Sequence, residues 1–108
     1  MRNVFHVNWK SISKKLFQSL RWIYWSCTWG IWIFVKFNSL ALNEGVLSAK
    51  LKGLIAVAVA HTSGCPYCLE LHVSQAKNNN ASKEETVEAV MVATALKADS
   101  ALAHGVNA

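Results

Sequence analysis

Proline is nearly absent from this 108-residue sequence: Pro66 stands alone, and there are only five glycines. So few breakers argue against an all-β sandwich with many turns and favour helices. Three cysteines are too few for a disulfide-stapled scaffold. Charged residues make up 16% and apolar residues 53%, which excludes a disordered tail and a highly charged coiled coil. The length admits one domain; two independent cores would not fit. No internal repeat or low-complexity tract is present.

The most pointed absence is local. Residues 1–39 contain no Asp or Glu, while Arg2, Lys10, Lys14, Lys15, Arg21 and Lys36 give that stretch +6. Residues 40–108 hold five lysines against Glu44, Glu70, Glu84, Glu85, Glu88 and Asp99, a net −1. All five tryptophans also lie at or before position 32. The overall +5 therefore belongs to the front of the chain. It gives no reason to expect a nucleic-acid partner for the remainder.

In the front segment, Phe5, Trp9, Ile12, Leu16 and Leu20 recur in steps of three and four, the pattern of an amphipathic helix over 1–21. With basic residues between them, such a helix suits an anionic membrane surface. An acid-free, Ser-containing start also has the character of an organelle transit peptide, and an ordinary surface helix remains the plainer reading. Trp22–Val35 is uncharged but shorter than the about 20 apolar residues that a spanning helix needs. Trp22, Trp25, Trp29 and Trp32 form one helical stripe, read here as a packing or subunit contact, with membrane association as the alternative. Cys27, with no Cys or His nearby, reads as an inert buried thiol.

The second part predicts helices. Ser48 caps a helix over about Ala49–His61, although the apolar run Leu54–Ala60 would also suit a buried strand. Pro66 opens a second helix that ends near Lys77 in Asn78-Asn79-Asn80, since proline loses nothing at the first helical position. Ser82 with Glu85 forms a capping box for a third helix, with Val87, Val90, Met91, Thr94 and Ala98 expected on its inner face. Ser100–Asn107 is alanine-rich and helical in character.

The chemistry concentrates in Cys65-Pro66-Tyr67-Cys68 and His72. Residues four apart on a helix share a face, about 6 Å apart along the axis, so Cys68 and His72 can meet. Both cysteines are expected in the first turn of that helix, whose N-terminus stabilises a thiolate. Two such thiols make a dithiol–disulfide centre: one attacks a peroxide or a disulfide, the other resolves the product, and the imidazole moves the proton. Structural zinc on His61, Cys65, Cys68 and His72 is a rival, but one continuous helix would spread these four over about 16 Å. A glutaredoxin-like site is another, but that fold needs a second proline facing the disulfide and further strands. The blandest reading has the cysteines merely packing.

Gly45–His61, followed by Cys65-Pro66-Tyr67-Cys68-Leu69-Glu70-Leu71-His72, closely resembles the core of the carboxymuconolactone decarboxylase and AhpD-like alkylhydroperoxidase superfamily. Ala81–Glu85 and Ala103-His104-Gly105 fit it as well. The resemblance covers residues 34–108 and leaves 1–33 as a basic, Trp-rich extension. It implies an all-α, AhpD-like helical bundle that assembles as a homo-oligomer, a trimer or hexamer. It also implies a thiol-dependent peroxidase or disulfide oxidoreductase that needs no cofactor and no metal. Its substrate would be a hydroperoxide or disulfide and its reductant a thiol donor. Cys68 would attack, Cys65 resolve, and His72 relay protons.

Members with peroxidase activity usually carry a glutamate twelve residues before the first cysteine, after a lysine; here Lys52 is followed by Gly53. Gly53 thus predicts slow turnover that Gly53→Glu would improve, and leaves His61 as a substitute base. Glu70, on another face, is a poor replacement. The competing class is a helical oligomerisation or interaction protein of the same family with impaired catalysis. A reducing compartment, the cytoplasm, suits such a dithiol; membrane association through residues 1–35 is the alternative.

Overall fold

The computed structural model describes residues 28–107, together with the single position Gln18. The helix expected over 1–21, Trp22, Trp25 and Cys27 lie outside the described residues. Among those described, the secondary structure consists of helices without strands: α1 (Thr28–Leu42), α2 (Ala49–Ser63), α3 (Pro66–Asn78) and α4 (Lys83–Gly105). The chain divides into two units, residues 1–41 and residues 42–108. Helix α1 belongs to the first and crosses position 33/34.

The second unit is an all-α arrangement in which α2 packs against both α3 and α4. Each start is written locally. Ser48 Oγ accepts from the Leu51 N–H (3.1 Å) at the head of α2. Ser82 Oγ accepts from the Glu85 N–H (3.0 Å), while Glu85 Oε2 accepts from the Ser82 N–H (2.8 Å), completing the capping box of α4. Pro66 takes the first position of α3, with Cys65 as its cap. The ends are as local. Gly64 closes α2 in the left-handed region (φ 68°). Asn80, also left-handed (φ 65°), turns the chain after α3, a conformation that Asn tolerates better than most residues. α4 runs unbroken through the alanine-rich tail to Gly105.

The core is small. Val57, Ala76 and Ala81 form its buried cluster, with Leu54, Val73 and Val90 packed against it. Among the described residues, Val57 is the one large side chain that is fully buried, which stabilises the fold by about 1.5–3 kcal/mol. Gly53 is also buried, against α3: a β-carbon on it would stand 3.2 Å from Ala76 Cα.

The inner face of α4 differs from the expected one. Ala93 is its buried residue, with Val90 half-buried, whereas Val87 and Met91 are each 60% exposed, and Thr94 and Ala98 are exposed at an open cleft beside α2. An alanine-rich helix carries two stripes of helical spacing. The close approach of α2 selects the one with the small residue. The larger side chains are left outward.

Candidate active site

Cys65 and Cys68 are joined as a disulfide, with Cα atoms 5.2 Å apart. The local chain dictates this. Gly64 ends α2, Cys65 is extended (φ −96°, ψ 105°), and Pro66 begins α3, so the three-residue step spans one helical turn. Cys65 Sγ caps α3 by accepting from the Cys68 N–H at 3.3 Å. Both cysteines are half-buried. The position of Cys65 outside the first turn refines the expectation that both thiols would lie within it.

The two histidines flank this pair in sequence, one on each helix. His72, half-buried on α3, pairs its Nδ1 with Gln75 Oε1 at 3.2 Å. The amide oxygen can only accept, so Nδ1 carries the hydrogen and Nε2 is left with its lone pair. His61, exposed in the last turn of α2, donates from Nδ1 to the Val57 carbonyl at 2.7 Å, which likewise leaves Nε2 as the basic nitrogen. His61, Thr62, Ala93, Thr94, Lys97 and Ala98 line an open cleft of about 340 Å³ between α2 and α4. Thr62 and Thr94 spend their hydroxyl hydrogens on the Val59 and Val90 carbonyls (2.8 and 2.9 Å), so they present lone pairs rather than donors. Lys97 is thus a cation from α4 set at the His61 cleft, which sequence spacing gave no means of finding. Gln75, three residues after His72, could have been found from helix periodicity.

Elsewhere, Lys52 Nζ donates to the Asn43 carbonyl (2.7 Å). Gly53 faces Ala76 and offers no acid or base. His104 lies exposed in the last turn of α4, its carbonyl accepting from the Asn107 N–H. Lys50 and Glu85 form an ion pair (2.6 Å) that ties the head of α2 to that of α4. Lys50 and the Ser82 N–H hold the Glu85 carboxyl below its ordinary pKa. Among the described residues, no group of three or more His, Cys, Asp or Glu side chains is placed to hold a metal ion.

This arrangement can be compared with known proteins. The family model for carboxymuconolactone decarboxylases matches residues 31–108. The chain belongs to the carboxymuconolactone decarboxylase family. An apo carboxymuconolactone decarboxylase family protein from Legionella pneumophila has the same fold. It superposes with a TM-score of 0.76 at 26% identity, over 82% of this chain and 80% of that one. An uncharacterized protein of the cox locus of Paracoccus denitrificans is 41% identical over 71 residues, 66% of this chain and 64% of its own length. An uncharacterized protein of Cupriavidus necator is 40% identical over 52 residues, 48% of this chain and 46% of its own. The aligned stretch therefore spans less than two thirds of either curated relative. Family membership carries the AhpD-like helical fold.

Proposed function

We propose that the protein is a thiol-dependent peroxidase and disulfide oxidoreductase whose working group is the Cys65–Cys68 pair. The observation that carries this reading is the pairing of the two sulfurs at the head of α3, with Cys65 Sγ accepting the Cys68 N–H. An N-terminal backbone N–H at a sulfur favours its thiolate.

In the reduced enzyme, the Cys68 thiolate attacks the outer oxygen of a hydroperoxide. The O–O bond breaks, Cys68 becomes a sulfenic acid, and the alcohol leaves after taking one proton. The Cys65 thiolate then attacks the Cys68 sulfur; the disulfide forms and the hydroxyl leaves as water with a second proton. Two thiols of an external donor restore the dithiol and are themselves oxidised to a disulfide. The cap hydrogen bond stabilises negative charge on Cys65 Sγ, which makes it the better leaving group in that last step. His72 Nε2 takes the Cys68 proton and returns it to the departing alkoxide. Gln75 holds the tautomer. His61 Nε2, at the cleft with Lys97, is the second base.

The exposed faces of this small unit support assembly of identical chains. Leu47, Leu51, Ile55 and Val59 follow one another at four-residue steps and all are exposed, as are Val87, Met91, Leu96 and Leu102 on α4. A core with one large buried side chain is too small to leave such faces in water. Copies of the same chain, as a trimer or hexamer, cover them.

The deciding assay follows hydroperoxide consumption with a dithiol donor in wild type and in Cys68→Ser. Turnover in wild type and its loss in the variant support the reading; equal rates in the two would sink it.

A further inference from the structure

We propose that α1, with the basic sequence before it, docks the protein onto an anionic lipid surface. Trp29, Ile33, Phe37 and Leu40 follow one another at steps of four, four and three and so share one face of α1. All are exposed, Trp29 by 76% and Phe37 by 67%, and Trp32 and Phe34 extend this exposed face on either side. Trp29 and Trp32 meet edge to face, their ring centroids 6.1 Å apart. The single charge of the helix, Lys36, places its ammonium 5.9 Å from the Trp32 ring centroid. The other side of α1, with Ile31, Asn38 and Leu42, is less exposed.

Indole rings and a lysine that bends toward the headgroups suit the wet boundary, while Ile33, Phe37 and Leu40 suit the acyl edge. The described helix, 15 residues and about 22 Å, is shorter than the about 30 Å hydrocarbon core. Among the described residues, no helix is long and apolar enough to cross a membrane. Charge selects lipid over a second copy as the occupant. Residues 1–39 carry +6 with no acid, so two front segments pressed together would repel without any carboxylate to neutralise them. Lipid phosphates supply the missing anions.

The test uses the full chain with vesicles of phosphatidylglycerol in phosphatidylcholine. The expected result is co-sedimentation at low salt and several-fold weaker binding at high salt. Acyl chains carrying bromine should quench the tryptophan emission. All five tryptophans lie at or before position 32, so that emission reports the front segment alone. Ile33→Glu with Phe37→Glu should weaken binding by about tenfold or more. The quenching arm needs only the unaltered chain and so stands even if that variant misfolds. A chain that stays in the supernatant, unquenched emission, equal binding to pure phosphatidylcholine, or dimers that form through α1 without vesicle binding would each overturn the proposal.

Discussion

A β-carbon built on Gly53 stands 3.2 Å from the Cα of Ala76 and 3.5 Å from its Cβ. The nearest obstacle is backbone, so no rotamer change relieves it. Glycine at this position is therefore how α2 approaches α3, and the relation reverses the expected effect of restoring the family's glutamate. Gly53→Glu should lose about 1–3 kcal/mol to overpacking, with a further cost for a carboxylate pressed into a buried contact. The expected outcome is a lower Tm by calorimetry and no gain in peroxide turnover. A faster and equally stable variant would show that the two helices can separate without cost.

The two cysteines should fail differently. Cys65→Ser leaves Cys68 able to attack but without a resolving partner. One equivalent of peroxide should then be consumed and a sulfenic acid should accumulate, captured by a sulfenic-acid-selective reagent and seen by mass spectrometry. Cys68→Ser should give neither the burst nor the adduct. Adduct on Cys65 in the Cys68→Ser chain would exchange the two roles.

His72 and Gln75 form a positioning pair. His72→Ala should lower the rate about a hundredfold or more, the usual worth of a general acid–base group. Gln75→Ala keeps the imidazole but frees its tautomer, so a smaller loss is expected, together with a displaced pH–rate profile. Gln75→Glu, whose carboxylate also accepts from Nδ1, should displace the pH–rate profile as well. An unmoved pH profile in both variants would remove Gln75 from the mechanism.

Glu85 ties stability to pH. Lys50 foremost, then the Ser82 N–H, lowers its pKa in the folded state relative to the ordinary value of 4.5. A carboxyl depressed on folding contributes above its unfolded pKa, and that contribution is lost as pH falls through the folded one. Tm should therefore decline on acidification from about pH 5 downward, and Glu85→Gln should flatten that part of the curve. Because the pair is partly exposed, added salt should diminish the effect.

Assembly can be checked apart from activity. Leu51→Lys with Met91→Lys places charge on two exposed apolar faces without touching the Val57 cluster. Sedimentation should show a smaller particle than wild type, with helical content retained by circular dichroism. An unchanged mass would move the contact to another face.

The local devices of this fold were legible in the chain. Ser48, the Ser82–Glu85 box and Pro66 opening α3 all act over three or four residues, so sequence spacing states them directly. The strand alternative for Leu54–Ala60 was settled only by neighbours: Val57 is covered by α3 and its surroundings, and an apolar run alone does not say which period it follows. The cysteine pair was legible as a pair, because a three-residue step at a helix start brings the two sulfurs together whatever lies around them. The cap role of Cys65 needed the backbone angles at that position.

What the sequence determined by itself was therefore a set of short-range facts: helices, caps, a dithiol and a basic front that carries every tryptophan. Tertiary structure decided which of two stripes on α4 faces inward, why position 53 holds glycine, and that Lys97 stands at the His61 cleft. The reason is reach. Hydrogen bonds and periodicity act within a turn or two of one helix, whereas burial and close approach depend on a second helix whose place no single segment encodes.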